Sequence, residues 1–141
     1  MTVDNSSLRD LLWAQPALQD VRQRAATADI ALLTVGDMSP DATIFRHGIV
    51  PSSLIAPLKA KGAVANMLCY FVDAAGGLVD HEVNSRVMAI DLDVVSNVPN
   101  VVLAAGGKRK VAAILAALKA VDTNVLITDS DTATALLAKG G

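Results

Sequence analysis

The chain has 141 residues, 52% of them hydrophobic and 18% charged, which fits one domain or most of one with ample material for a buried core. Aromatics are only 3%, so the core must be built from small aliphatic side chains. A net charge of -2 and a sequence pI near 5.5 argue against a nucleic-acid-binding face in these residues. The single cysteine, Cys69, cannot form an internal disulfide, which fits a reducing cytoplasm. Met1 to Asp10 is polar and lacks the basic and apolar regions of a signal peptide. No apolar run approaches the ~18 residues of a membrane span. The expectation is a soluble, cytoplasmic chain with no membrane partner.

In chain order, Leu8 to Ala28 reads as helix, split in two by Pro16. Asp29 to Val35 is an apolar run ending at Gly36, which predicts a strand buried on both faces. Met38 to Gly48 reads as a loop. Pro51-Ser52-Ser53 opens a helix to about Lys61, with Gly62 as its stop. Asn66 to Val72 is a second strand-like run, and Asp73 to Gly77 a turn. Val87 to Ile90 reads as a third short strand. Val101 to Ala105 is the clearest buried strand and runs into Gly106-Gly107. The helix from Lys108 to about Ala120 carries Val111, Ile114, Leu115 and Leu118 on one face. Val125 to Thr128 is a last strand, and Ser130 to Ala138 a last helix capped by Asp129 or Ser130. Strands alternating with helices predict an α/β fold with a largely parallel sheet covered on both faces.

In such sheets ligands bind beyond the carboxyl ends of the strands. Gly36-Asp37, Gly106 to Lys110, and Thr128-Asp129 occupy those places. Lys108, Arg109 and Lys110 at one helix start oppose the helix dipole unless an anion sits there. Two glycines would let the backbone approach that anion, with a phosphate as the obvious candidate. The plainer reading is a tight turn with solvated lysines, and spacing alone leaves both open. The loop is neither a Walker loop nor a dinucleotide fingerprint, so no nucleotide cofactor is expected. His47, His81 and Cys69 lack metal-ligand spacing, so no metal is expected. Asp91 and Asp93 read as solvated or capping groups at a strand end, Asp80-His81-Glu82 as an exposed loop, and Trp13 as a packing residue.

Five stretches carry a resemblance. They are Ala28 to Gly36 (ADIALLTVG), Gly62 to Leu68 (GAVANML), Val79 to Val87 (VDHEVNSRV), Val102 to Ile114 (VLAAGGKRKVAAI), and Leu126 to Asp129 (LITD) followed by Ala133 and Leu136-Leu137. In order and spacing they resemble the sugar-binding effector domain of the SorC/DeoR-type bacterial transcriptional regulators, over nearly the whole chain. The resemblance implies a fold similar to glucosamine-phosphate deaminases and ribose-phosphate isomerases, and a phosphorylated sugar bound as an effector without turnover. It implies that Lys110, the lysine of the family's Ala-Gly-Gly-x-x-Lys motif, contacts the effector phosphate and that position 66 faces the sugar. The candidate effector-binding set is Gly36, Asn66, Asp80, Gly106, Gly107 and Lys110. Family members carry Gly then Asp or Glu where this chain has Ala65 and Asn66. An amide still bonds a hydroxyl but lacks the carboxylate's charge.

Complete family members begin with a helix-turn-helix domain, followed by the first part of the effector domain with its own phosphate loop. Neither is among these 141 residues, so the resemblance implies the C-terminal part of a single effector domain. Operator DNA would then be contacted only through the N-terminal domain, and the domain would assemble as a homo-oligomer. Two other readings remain. One is an isomerase- or deaminase-like enzyme with Asp80 or Asp129 as general base. The other is an oligomerisation fragment without ligand.

Overall fold

The computed structural model describes residues 1–140. Its helices and strands in chain order are α1 (Ser6–Trp13), α2 (Pro16–Ala26), β1 (Ile30–Leu33), β2 (Gly36–Asp37), α3 (Thr43–Arg46), α4 (Ile55–Ala60), β3 (Ala65–Met67), β4 (Tyr70–Val72), α5 (Glu82–Ser85), α6 (Leu92–Ser96), β5 (Asn100–Ala104), α7 (Val111–Ala120), β6 (Val125–Ile127) and α8 (Ser130–Gly140). Single 3-10 turns, Ser52–Leu54 and Lys108–Lys110, lead into α4 and α7. Pro16 separates α1 from α2 by standing at the first helical position, where a missing N–H costs no helical bond.

The strands form two sheets. β1, β5 and β6 run parallel in the order β1-β5-β6, pairing Ile30 with Asn100 and Val102 with Val125. β2, β3 and β4 make an antiparallel sheet, a second layer that the expectation of one parallel sheet did not contain. The main core lies between them. Leu33, Val101 and Leu103 meet Ala65, Met67 and Val72 there, together with Ile114, Ala116 and Ala117 of α7. A smaller cluster under the antiparallel sheet gathers Phe45, Val50, Leu58, Phe71 and Val83. Both phenylalanines of the chain, Phe45 and Phe71, meet in this cluster, with their ring centroids 5.9 Å apart.

Four expectations are corrected. The run Asn66 to Val72 is not one strand. It folds back on itself at Leu68 and Cys69, whose φ of 52° and 72° build a two-residue hairpin loop between Met67 and Tyr70. Val87 to Ile90 forms no strand: Val87 makes one isolated bridge with Thr2 and is buried because it fills the core. Met38 to Gly48 contains a helical turn, α3, whose Ile44 and Phe45 are buried. Finally, the parallel sheet is covered on one face only. Ile30 and Leu32 are 62% and 70% exposed and Val125 and Ile127 48% and 56%. Period-two alternation puts all four on the same side, and no described residue packs over it.

Candidate functional site

A cavity of about 340 Å³ opens beyond the carboxyl ends of β1 and β5. Thr34, Val35, Gly36 and Asp37 enter from the end of β1, Asn66 from β3, and Arg109 and Lys110 from the turn that starts α7. Asp41 to Ile44, Ile49, Leu68 and Cys69 complete the wall. That volume lies in the lower range of small-molecule sites, roughly 300–1,000 Å³. The wall mixes two carboxylates, two cations, an amide and hydroxyls with aliphatic surface. Leu68 and Cys69 hold left-handed backbone here without glycine, a strain of roughly 1–2 kcal/mol each.

Of the sequence-derived candidates, Gly36, Asn66 and Lys110 meet in this cavity. Gly36 and Asn66 are cross-strand partners. A Cβ on residue 36 would stand 2.4 Å from Asn66 Nδ2, so the amide lies across the strand only because residue 36 is glycine. Asn66 Nδ2 donates to the Asp37 carbonyl at 3.2 Å, which fixes the amide with Oδ1 as the remaining acceptor.

Gly106 and Gly107 follow the same sheet edge but do not line the cavity. Their loop receives a carboxylate from the chain itself. The Gly107 N–H, at φ 105°, donates to Asp129 Oδ2 and to the Thr132 hydroxyl, both at 2.8 Å. A Cβ on Gly106 would meet Asp129 Oδ2 at 2.4 Å. Asp129 also accepts the Thr132 N–H at 2.8 Å and so caps the start of α8. Bonds from the Thr132 backbone and hydroxyl, with a further one from Gly107, hold the Asp129 carboxyl below its usual pKa. Their stabilisation is present above the ordinary aspartate value, about 4, and is lost as pH falls through the lower folded-state value. Asp80 lies away from the cavity, fully exposed, with its carboxylate 3.7 Å from Lys61.

The three cations at the start of α7 are compensated unequally. Lys108 pairs with Asp131 at 3.5 Å. Arg109 reaches Asp41 at 3.6 Å and Asp37 at 4.0 Å. Among the described residues Lys110 has no carboxylate within ion-pair distance. Asp37 was legible only as a place at a strand end, and its environment explains its importance. Burial pushes its pKa up, but the Ser39 hydroxyl at 2.5 Å, the Ser39 N–H at 3.0 Å and the charges of Arg109 and Lys110 outweigh that, and the carboxyl stays below its usual range.

Elsewhere the structure explains residues that sequence left bland. His81 caps α5, accepting the Val83 N–H on Nδ1 at 3.1 Å. Asp91 stands before α6 and takes Arg22 and, at 2.9 Å, the Tyr70 hydroxyl; burial, then this bond, raises the Tyr70 pKa. Arg22 also lies over the Trp13 ring at 4.8 Å. Among the described residues no cluster of three or more His, Cys, Asp or Glu is placed to hold a metal, and no helix is long and apolar enough to cross a membrane.

The fold and the cavity can be set beside known proteins. A family model described as "Putative sugar-binding domain" matches residues 1–138. Transcriptional regulator LsrR of Enterobacter sp. (strain 638) is 35% identical over 144 residues, covering 100% of this chain and 45% of the relative. The deoxyribonucleoside regulator of Bacillus subtilis (strain 168) is 34% identical, covering 95% of this chain and 42% of that one. A solved DeoR family transcriptional regulator from Listeria monocytogenes superimposes with a TM-score of 0.89 at 26% identity, over 96% of this chain and 55% of the other. The chain thus spans less than half the length of these curated relatives. With the model matched almost end to end and these identities alongside it, the chain belongs to the sugar-binding domain family of SorC/DeoR-type transcriptional regulators.

Proposed function

We propose that this chain is the effector-sensing part of a cytoplasmic transcriptional regulator and binds a phosphorylated sugar in the cavity beyond β1 and β5. The observation that supports this most is the juxtaposition of Lys110 with Asn66 and Gly36 in one cavity of ligand size. A lysine lacking a carboxylate partner among the described residues, set beside a fixed amide acceptor, suits an anion and a hydroxyl on the same molecule. The glycine loop adds structure to that wall by holding Asp129 and the start of α8; the proposed phosphate contact rests with Lys110. The module senses and does not catalyse. Asp80 and Asp129, the general bases considered for an isomerase- or deaminase-like enzyme, both lie outside the cavity lining, and the carboxylates that do line it are engaged, Asp37 by Ser39 and Asp41 by Arg109. In the whole regulator, operator DNA is met by a helix-turn-helix segment outside these 141 residues.

A charge-assisted hydrogen bond to phosphate contributes roughly 1.5–3 kcal/mol. Lys110→Ala is therefore expected to weaken sugar-phosphate binding by about one to two orders of magnitude in calorimetry. An unchanged affinity would remove Lys110 from the site. Intact affinity in Asn66→Ala alone would remove only the sugar contact.

The open face of the parallel sheet supports a homo-oligomer, because four large aliphatic side chains in water favour association. Light scattering should give a mass above that of the monomer, and a monomer at high concentration would count against assembly.

A further inference from the structure

We propose that Asp37 sets the selectivity of this cavity: it admits a polyhydroxylated ligand with a single phosphate and rejects the corresponding bisphosphate. This rests on the sugar-phosphate reading above and narrows it. The cavity wall carries two cations and two carboxylates, so its formal charges cancel before a ligand enters. Arg109 is shared by Asp41 at 3.6 Å and Asp37 at 4.0 Å. Lys110 is the cation left for a ligand, and it suffices for one phosphate. A second phosphate held in the same cavity of about 340 Å³ shares it with the carboxylates of Asp37 and Asp41. Like charges in one cavity repel strongly where water is partly excluded.

Asp37 cannot turn away. Its side chain is only 13% exposed, and Oδ1 is tied to the Ser39 hydroxyl at 2.5 Å and the Ser39 N–H at 3.0 Å. Its carbonyl is held by the Asn66 amide at 3.2 Å. Protonation gives no escape, because the same Ser39 bonds and the neighbouring cations keep the carboxyl ionised. What remains on this wall is acceptors. Among the described residues neither Asp37 Oδ2, which faces Arg109 at 4.0 Å, nor Asn66 Oδ1 accepts a hydrogen bond. A hydroxyl supplies the proton each one needs, whereas a phosphate dianion brings only further acceptors. The wall that welcomes a polyol is thus the wall that rejects a second phosphate, an element built against the wrong ligand.

Calorimetry on the full chain with two matched pairs tests this: fructose 6-phosphate against fructose 1,6-bisphosphate, and ribose 5-phosphate against ribose 1,5-bisphosphate. At least one monophosphate is expected to bind about tenfold or more tightly than its bisphosphate. Asp37→Asn should cut that ratio by about tenfold. Asp41→Asn, at an exposed position that leaves folding intact, should cut it by a smaller factor. A bisphosphate that binds as tightly as its monophosphate overturns the selectivity while leaving the sugar-phosphate reading standing. So does a ratio that neither substitution moves. Failure of all four compounds to bind overturns the sugar-phosphate reading, and this proposal with it.

Discussion

Phe71→Ala is expected to cost about 3–5 kcal/mol of folding stability. The side chain is fully buried, stacks on Phe45 with ring centroids 5.9 Å apart, and sits in the cluster that joins α3, α4 and α5 to the antiparallel sheet. The neighbours in its cluster include Val50 in the loop after α3, Leu58 of α4 and Val83 of α5, and a hole left among them collapses only partly. Phe71→Leu keeps most of the volume and should cost less than about 1.5 kcal/mol. Leu137→Ala, on a side chain 80% exposed, should stay within about 0.5 kcal/mol of the parent. Urea denaturation of the three variants decides the matter. If Phe71→Ala loses no more than Leu137→Ala, the smaller cluster is not a core.

Asn84→Leu should cost about 2–4 kcal/mol, although it adds apolar surface to a buried position. Asn84 is one of the few buried polar side chains, and its amide stands in for a strand that β4 lacks on that side. Oδ1 accepts the Phe71 N–H at 2.8 Å, while Nδ2 donates to the carbonyls of Phe71 at 3.0 Å and Val79 at 2.9 Å. The two carbonyls keep other partners, the N–H groups of Val79 and His81. The Phe71 N–H has none, so leucine strands a buried donor, which is the largest part of the cost. Asn84→Asp offers an instructive contrast. Its carboxylate still accepts the N–H but turns an oxygen on two carbonyls, so burial favours its neutral form and its folded-state pKa is raised. That variant should therefore regain stability as pH falls, and thermal melts between pH 7 and pH 4 would show it. A pH-independent loss in Asn84→Asp would mean that the amide is not donating to those carbonyls.

How much of this was legible beforehand follows from the range over which each signal acts. β1, β5 and β6 are apolar runs closed by Gly or Asp, and α7 has a clear period, so local pattern was enough. The hairpin at Leu68 and Cys69 was invisible because the chain uses neither Asn nor Gly there. α5 and α6 have four and five residues, too few to display a helical period. Lys110, Asn66 and Gly36, named from the sequence and two of them through the family resemblance, line one cavity. The occupant of the Gly106-Gly107 loop was not legible, since Asp129 reaches it from 22 residues away in sequence. The role of Asp37 was hidden likewise, because it depends on Ser39 nearby and on Arg109 from the far end of the chain.

The register that pairs Ile30 with Asn100 also bears on how the chain comes to be folded. β3 and β4 can close on each other as soon as both exist, through a loop of two residues. β1 must instead wait for some seventy further residues before its partner is made, and closing so long a loop is entropically slow to repay. During synthesis the segment Ile30 to Leu33 therefore emerges ahead of its partner and waits, with four apolar side chains, until β5 leaves the ribosome. β5 then pairs with β1 and leaves its other edge for β6, and the cavity, whose walls come from both ends of that interval, is complete only once Lys110 is in place.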